Sequence, residues 1–266
     1  MQVTSPGILS ELIFHRFAGE VIDRGDFVKI YTASNPSYYY GNTLIFPAPP
    51  APEDAGNWIA LFETEFAYDA EVKHRTFQWE PTAKADPAAI KSFTDQGFTH
   101  DHISVLTATA TATDRKPPAG VTFRKIESDA DWLAATEMQI VSGFPSIPSA
   151  DYRIYKEAQF ITYRDMADAG LGGWFGAFKG DELVADLGLY FGDDIGRFQS
   201  VETAEAHRRQ GICSALVHWV SQWAFAKHPG ITLMIHADHG DPPEAIYKSL
   251  GFVETEQIES VFRPPT

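Results

Sequence analysis

The stretch His207-Arg208-Arg209-Gln210-Gly211-Ile212-Cys213-Ser214-Ala215-Leu216, directly after the strand-like run Phe198-Gln199-Ser200-Val201-Glu202-Thr203, decides how this chain is read. It predicts a cradle for a diphosphate. Gly211 has no side chain and lets a ligand approach the backbone. The helix that follows offers unpaired first-turn N–H groups to an anion, and Arg208 and Arg209 put positive charge at its mouth. The helix itself is legible from spacing. Ile212, Leu216, Val220 and Trp223 recur at three- and four-residue steps with His218, Ser221 and Gln222 between them, so one apolar face packs on a sheet.

The neighbouring segments extend the pattern. Upstream, Gly173 to Phe178 meets the turn Lys179-Gly180-Asp181-Glu182 and then Leu183 to Tyr190, which reads as a hairpin. A second turn at Gly192-Asp193-Asp194 leads into a strand from Ile195 to Thr203. Downstream, Ile231 to Ala237 reads as a strand and Pro242 to Leu250 as a short helix, with Asp241 as cap and Gly251-Phe252 as stop. The order is helix, helix, three antiparallel strands, helix, strand, helix, strand. A Rossmann-type nucleotide domain needs alternating βαβ units with the glycine turn after the first strand, and the antiparallel run before Arg208 argues against it.

Over roughly residues 121 to 262 the chain resembles the GCN5-related N-acetyltransferases (GNAT). That family's Q/R-x-x-G-x-G/A motif is matched by Arg208-Arg209-Gln210-Gly211-Ile212-Cys213, with Cys213 standing where the family prefers Gly or Ala. Its tyrosine shortly before Leu-Gly-Phe is matched by Tyr247-Lys248-Ser249-Leu250-Gly251-Phe252. The resemblance implies an α/β (α+β) fold with a mixed, mostly antiparallel sheet flanked by helices. It implies acetyl-CoA as co-substrate, held at Val201, Thr203, Arg208, Arg209, Gln210, Gly211, Ile212, Cys213 and Ser214. It also implies direct attack by an amine of a small molecule or peptide, with backbone N–H groups of Val201 to Thr203 polarising the thioester and Tyr247 protonating the departing sulfur. For the base, Glu202 on the same strand is preferred; Asp186 on the adjoining strand, or water, remains open. A non-catalytic acyl-CoA sensor or interaction module is the alternative, in which the cradle binds but nothing turns over.

The helices Asp129 to Val141 and Ala150 to Ala169 are expected on the acceptor side, joined by the stiff loop Gly143-Phe144-Pro145-Ser146-Ile147-Pro148. In the resembling family that loop region governs acceptor choice. Two other features point to different chemistry. His236, His239 and Asp241 look like metal ligands, but on a strand the two histidines project to opposite faces and Asp241 serves as a cap, so no metal is expected. Cys213 at a helix start invites a nucleophile, yet it reads more simply as a small residue in a glycine-like position.

At 266 residues and 44% hydrophobic content the chain has room for two domains with packed cores. The single cysteine excludes an intrachain disulfide framework, and no leader or long apolar run suggests secretion or membrane insertion, so a cytoplasmic location is expected. A formal net charge of −15 argues against a nucleic-acid partner. A homodimer is compatible with the sequence. The run Thr107 to Thr113 followed by Asp114-Arg115-Lys116-Pro117-Pro118-Ala119-Gly120 reads as a linker, which divides the chain into 1–115 and 116–266.

The first half echoes the second. Ala89 to Phe98 aligns with Ala245 to Phe252, the Gly-Phe pairs in register and Phe93 opposite Tyr247, and each is followed by a strand, Ile103 to Leu106 and Ile258 to Phe262. The first copy lacks the chemistry: Pro47 to Pro52 replaces the basic glycine turn after Thr43-Leu44-Ile45-Phe46, and Phe93 has no hydroxyl. A degenerate tandem copy is therefore expected, with Tyr38-Tyr39-Tyr40 and Trp58 either lining a substrate cleft or packing in a core.

Overall fold

The computed structural model describes residues 1–112, 114–143 and 149–265. The elements in chain order are α1 (Pro6–Ala18), β1 (Glu20–Asp23), β2 (Val28–Tyr31), β3 (Thr43–Phe46), α2 (Asp54–Glu65), β4 (Arg75–Trp79), α3 (Pro87–Thr94), β5 (Thr99–Ala108), β6 (Val121–Lys125), α4 (Asp129–Ser142), α5 (Ser149–Asp168), β7 (Gly172–Lys179), β8 (Glu182–Phe191), β9 (Ile195–Thr203), α6 (Ile212–Lys227), β10 (Thr232–Asp238), α7 (Pro242–Ser249) and β11 (Val253–Arg263). Two compact units emerge. The first holds Met1–Ile103, Pro145–Tyr155 and Glu256–Thr266, the second Ser104–Phe144 and Lys156–Thr255. The linker at Arg115 thus lies inside the second unit, because contacts rather than composition set the division.

In the second unit β6, β7, β8 and β9 pair antiparallel in that order, and β10 then joins β9 in parallel. The β7–β8 hairpin closes through Lys179 opposite Glu182, and Gly180 supplies the left-handed residue of the two-residue turn with φ +62°. A parallel pair needs a crossover, and α6 supplies it. The α6 face carrying Ile212, Leu216, Val217 and Val220 packs with Leu187, Leu189, Phe198, Leu233 and Ile235, as the spacing predicts. β6 is an additional edge strand that the linker-rich sequence around it conceals.

The first unit repeats this series. β1, β2 and β3 run antiparallel, β4 follows in parallel after the crossover α2, and α3 comes next, as α7 follows β10. The strand that pairs with β4, antiparallel and with Val261 opposite Phe77, is β11 from the far end of the sequence. The core is aromatic: Phe77 contacts the rings of Phe46, Trp58, Phe62, Phe93 and Phe98. Trp58 stacks on Phe46 with centroids 3.7 Å apart, so it is a packing residue. Of the tyrosine triplet, Tyr39 is buried against His74, Tyr40 bonds Asp101 at 2.6 Å, and Tyr38 lies against Tyr155.

Burial in this unit holds two histidines neutral. His15 and His74 are both pushed down to about 4, in each case chiefly by desolvation. Above pH 6.5 folded and unfolded chains both carry neutral rings, and stability is full; as pH falls toward 4 the unfolded chain gains protons that the folded rings refuse. The first unit should therefore lose about 1.4 kcal/mol per imidazole for each pH unit in that window. Hydrogen exchange of β2 to β4 amides at pH 7, 6 and 5, corrected for intrinsic rates, checks this, and constant protection would refute it.

Candidate active site

β9 departs from a regular strand where the chemistry is expected. Its register with β8 pairs Asp186 with Glu202 and Gly188 with Gln199, which leaves Ser200 and Val201 together opposite Leu187. This is a β-bulge. Ser200 sits at φ +46°, a left-handed conformation that a side-chain-bearing residue rarely adopts. On the other side, pairing between β9 and β10 covers only Ile195 to Arg197. Beyond that point β9 runs on to Thr203 past the end of its register with β10, and Gln199 to Glu202 are partly exposed there.

The loop expected to form the cradle lies where β9 ends. A single 3₁₀ turn, Glu205–His207, leads to Arg208, and both Arg209 and Gly211 are left-handed, at φ +62° and +76°. Such turns aim successive N–H groups into one concavity. Gly211 is the N-cap of α6 and provides no side-chain cap. The first hydrogen bond of α6 runs from Ala215 N–H to the Gly211 carbonyl, so the amides of Ile212, Cys213 and Ser214 have no backbone acceptor among the described residues and can serve an external one. A diphosphate fits this donor set. Arg209 and Gln210 are exposed beside it. Arg208 is turned back instead: its Nε donates to the Thr203 carbonyl at 3.0 Å and its Nη2 to Glu202 at 3.2 Å. The sequence places its charge at the mouth; the structure uses part of it to tie the loop to β9.

Tyr247 on α7 is buried, with its ring toward Phe252. Burial first, then Cys213 and Glu202, push its hydroxyl far above the ordinary tyrosine range, with Arg197 opposing. It is held protonated. The Cys213 thiol is pushed up to about 12 by burial and by Glu202, which disfavours the thiolate. Tyr247, Cys213 and Glu202 thus come within electrostatic reach of one another. Glu202 Oε1 accepts the Thr203 N–H at 2.8 Å as well as the Arg208 bond. The Thr203 hydroxyl is buried and makes no hydrogen bond among the described residues.

Asp186, the alternative base, is fully buried and already engaged. Gln139 Nε2 donates to one carboxylate oxygen at 2.8 Å and Trp174 Nε1 to the other at 3.0 Å. Burial raises its pKa to about 7 against those two bonds, with Glu202 adding to the rise and Lys156 opposing it. Lys156 on α5 is also buried, bonds Gln159 Oε1 at 3.0 Å, and is lowered by desolvation to about 8. Gln139, Trp174 and Lys156 escape sequence reading because each sits among residues whose periodicity already accounts for it. The loop from Phe144 to Pro148 lies outside the described residues.

The histidine cluster differs from its sequence reading. β10 ends at Asp238, so His239 lies in the following turn, and it gathers with Glu244 and Glu254 rather than with His236 and Asp241. Lys248 already bonds two members of that group, Glu244 and, at 3.1 Å, Glu254. Asp241 is at the N-cap of α7, but its side chain makes no cap bond; Glu244 reaches back to the Gly240 N–H at 2.8 Å instead.

Residues 136–252 match the model of the Acetyltransferase (GNAT) family. No curated protein matches the chain. Among solved structures, a functionally unknown conserved protein from Staphylococcus epidermidis is similar at a TM-score of 0.74 and 16% identity, over 97% of this chain and 100% of that one. A GCN5-related N-acetyltransferase from Kribbella flavida aligns at 0.68 and 17% identity, over 100% and 98%. A tandem GNAT protein from the clavulanic acid biosynthesis pathway aligns at 0.57 and 13% identity, over 97% and 88%. At these identities the likeness is one of fold. Among the described residues no helix is long and apolar enough to cross a membrane.

Proposed function

We propose, on the premise that residues 136–252 form an acetyltransferase domain of the GNAT family, that the protein moves an acetyl group from acetyl-CoA to an amine of a small molecule or peptide. The observation that carries this reading is the meeting of a left-handed loop and an uncapped α6 N-terminus with the bulged end of β9, past its register with β10. Acetyl-CoA supplies the activated acyl group. The amides of Ile212 to Ser214 hold its diphosphate, and the Val201 N–H takes the thioester oxygen as negative charge develops there. Carbon–nitrogen bond formation expels the thiolate, and Tyr247 returns a proton to that sulfur. The acceptor must arrive as a neutral amine. Glu202, partly exposed on β9, is the group we assign to take its proton, directly or through water, because Asp186 is fully buried. The first unit, with its proline loop and Phe93 in place of Tyr247, is a degenerate copy without a cradle.

Calorimetric titration with CoA and acetyl-CoA, followed by thiol release with a panel of primary amines, tests this proposal. Binding with turnover of at least one amine is expected, whereas binding with no turnover would favour the sensor reading. Glu202→Gln should lower kcat/KM about tenfold at pH 7 and recover as pH rises past the amine's own pKa. Full activity of that variant at every pH would remove Glu202 as the base.

A further inference from the structure

We propose that Gln139 is a positioning residue of the acyl-transfer site, its side-chain amide fixing the Ser200–Val201 peptide so that the Val201 N–H is aimed before substrate arrives. This inference rests on the acyl-transfer reading above. Gln139 lies on α4, is buried, and spends both N–H bonds of one nitrogen: 2.8 Å to the Asp186 carboxylate and 2.8 Å to the Ser200 carbonyl. Asp186 in turn is held by the Trp174 indole at 3.0 Å. The chain of bonds therefore runs from β7 through β8 and α4 to the bulge in β9, and each of its side chains is shielded from water.

The geometry of a peptide gives the clamp its effect. The Ser200 carbonyl and the Val201 N–H belong to one planar trans unit and point in opposite directions, so holding the first fixes the second. A non-glycine residue at φ +46° stays there only when its surroundings over-determine it, and the Gln139 bond supplies that determination. Asp186 fits this role as well: a fully buried carboxylate with each oxygen bonded orients its donors and is shielded from solvent.

The test needs no knowledge of the acceptor. Acetyl-CoA labelled with ¹³C at the thioester carbonyl is bound to the wild-type protein, and the isotope-edited infrared band is read beside the calorimetric Kd. The wild type is expected to bind and to shift the band to lower frequency than in solution. Gln139→Met, which keeps the length and removes both donors, and Gln139→Glu, which is isosteric, should each bind with Kd within about threefold while the band moves at least halfway back to its free position. Absence of wild-type binding would overturn the acyl-CoA reading itself. Wild-type binding with an unshifted band, or an equal shift in wild type and both variants, would overturn the role of Gln139 alone. So would a more than tenfold loss of affinity in both variants, because Gln139 would then support the whole site rather than one peptide.

Discussion

Tyr247→Phe is expected to reduce turnover of acetyl-CoA with an amine by about a hundredfold or more, while the Kd for acetyl-CoA stays within threefold. The two halves of this expectation have separate causes. Tyr247 is buried between α7 and the core, and phenylalanine preserves that packing almost completely. Only the hydroxyl is lost. Desolvation, reinforced by Cys213 and Glu202, pushes that hydroxyl above the ordinary tyrosine range, so the proton proposed for the sulfur is in place at neutral pH. The loss should therefore not be repaired at high pH, which distinguishes it from the pH-dependent loss expected of Glu202→Gln. Equal kcat values for wild type and Tyr247→Phe would mean that the thiolate leaves without this residue. The sulfur would then collect its proton from solvent.

Gly211→Val should weaken acetyl-CoA binding by about two orders of magnitude and cost the fold about 1–2 kcal/mol. At φ +76° a β-branched residue is strained whatever space surrounds it, yet a Cβ placed there meets no protein atom within 4 Å. On the proposed reading that open space is the cradle, so the added methyls would project where the diphosphate is expected. Gly180 offers the matching control: it is left-handed at φ +62°, also has no neighbour within 4 Å, and lies in the β7–β8 turn rather than in the cradle. Gly180→Val should cost similar stability and leave affinity intact. If both variants lose binding alike, strain rather than obstruction explains Gly211, and the cradle has been put in the wrong loop.

Much of the second unit is legible in the sequence because local chemistry and tertiary demand agree there. The hairpin around Gly180, the stripe of Ile212, Leu216 and Val220, and the stop at Gly251-Phe252 each have a short-range signature, and each element forms where that signature puts it. Other features depend on partners distant in sequence. Gln139 reads as a polar residue on an amphipathic helix, and only the approach of Asp186 and Ser200 gives it a task. Val121 to Lys125, a five-residue edge strand beside a proline-rich linker, gains its structure from pairing with β7. The first unit is the least legible. Its aromatic core around Phe77 draws residues from strands and helices whose own periods are too short to announce them, and the echo between Phe93 and Tyr247 marks the repeat without revealing which strand completes it.

That last strand bears on how the molecule is made. Phe77 on β4 meets Val261 on β11 as its neighbour in the sheet, so a chain growing from its amino end holds β4 ready long before its mate has been synthesised. Until residues 256–263 leave the ribosome, one edge of β4 stays bare, carrying unpaired backbone groups beside a cluster of exposed-in-waiting phenylalanines. The amino-terminal unit is thus born first and finished last, and its vulnerable interval is set by the time taken to translate everything between the two strands.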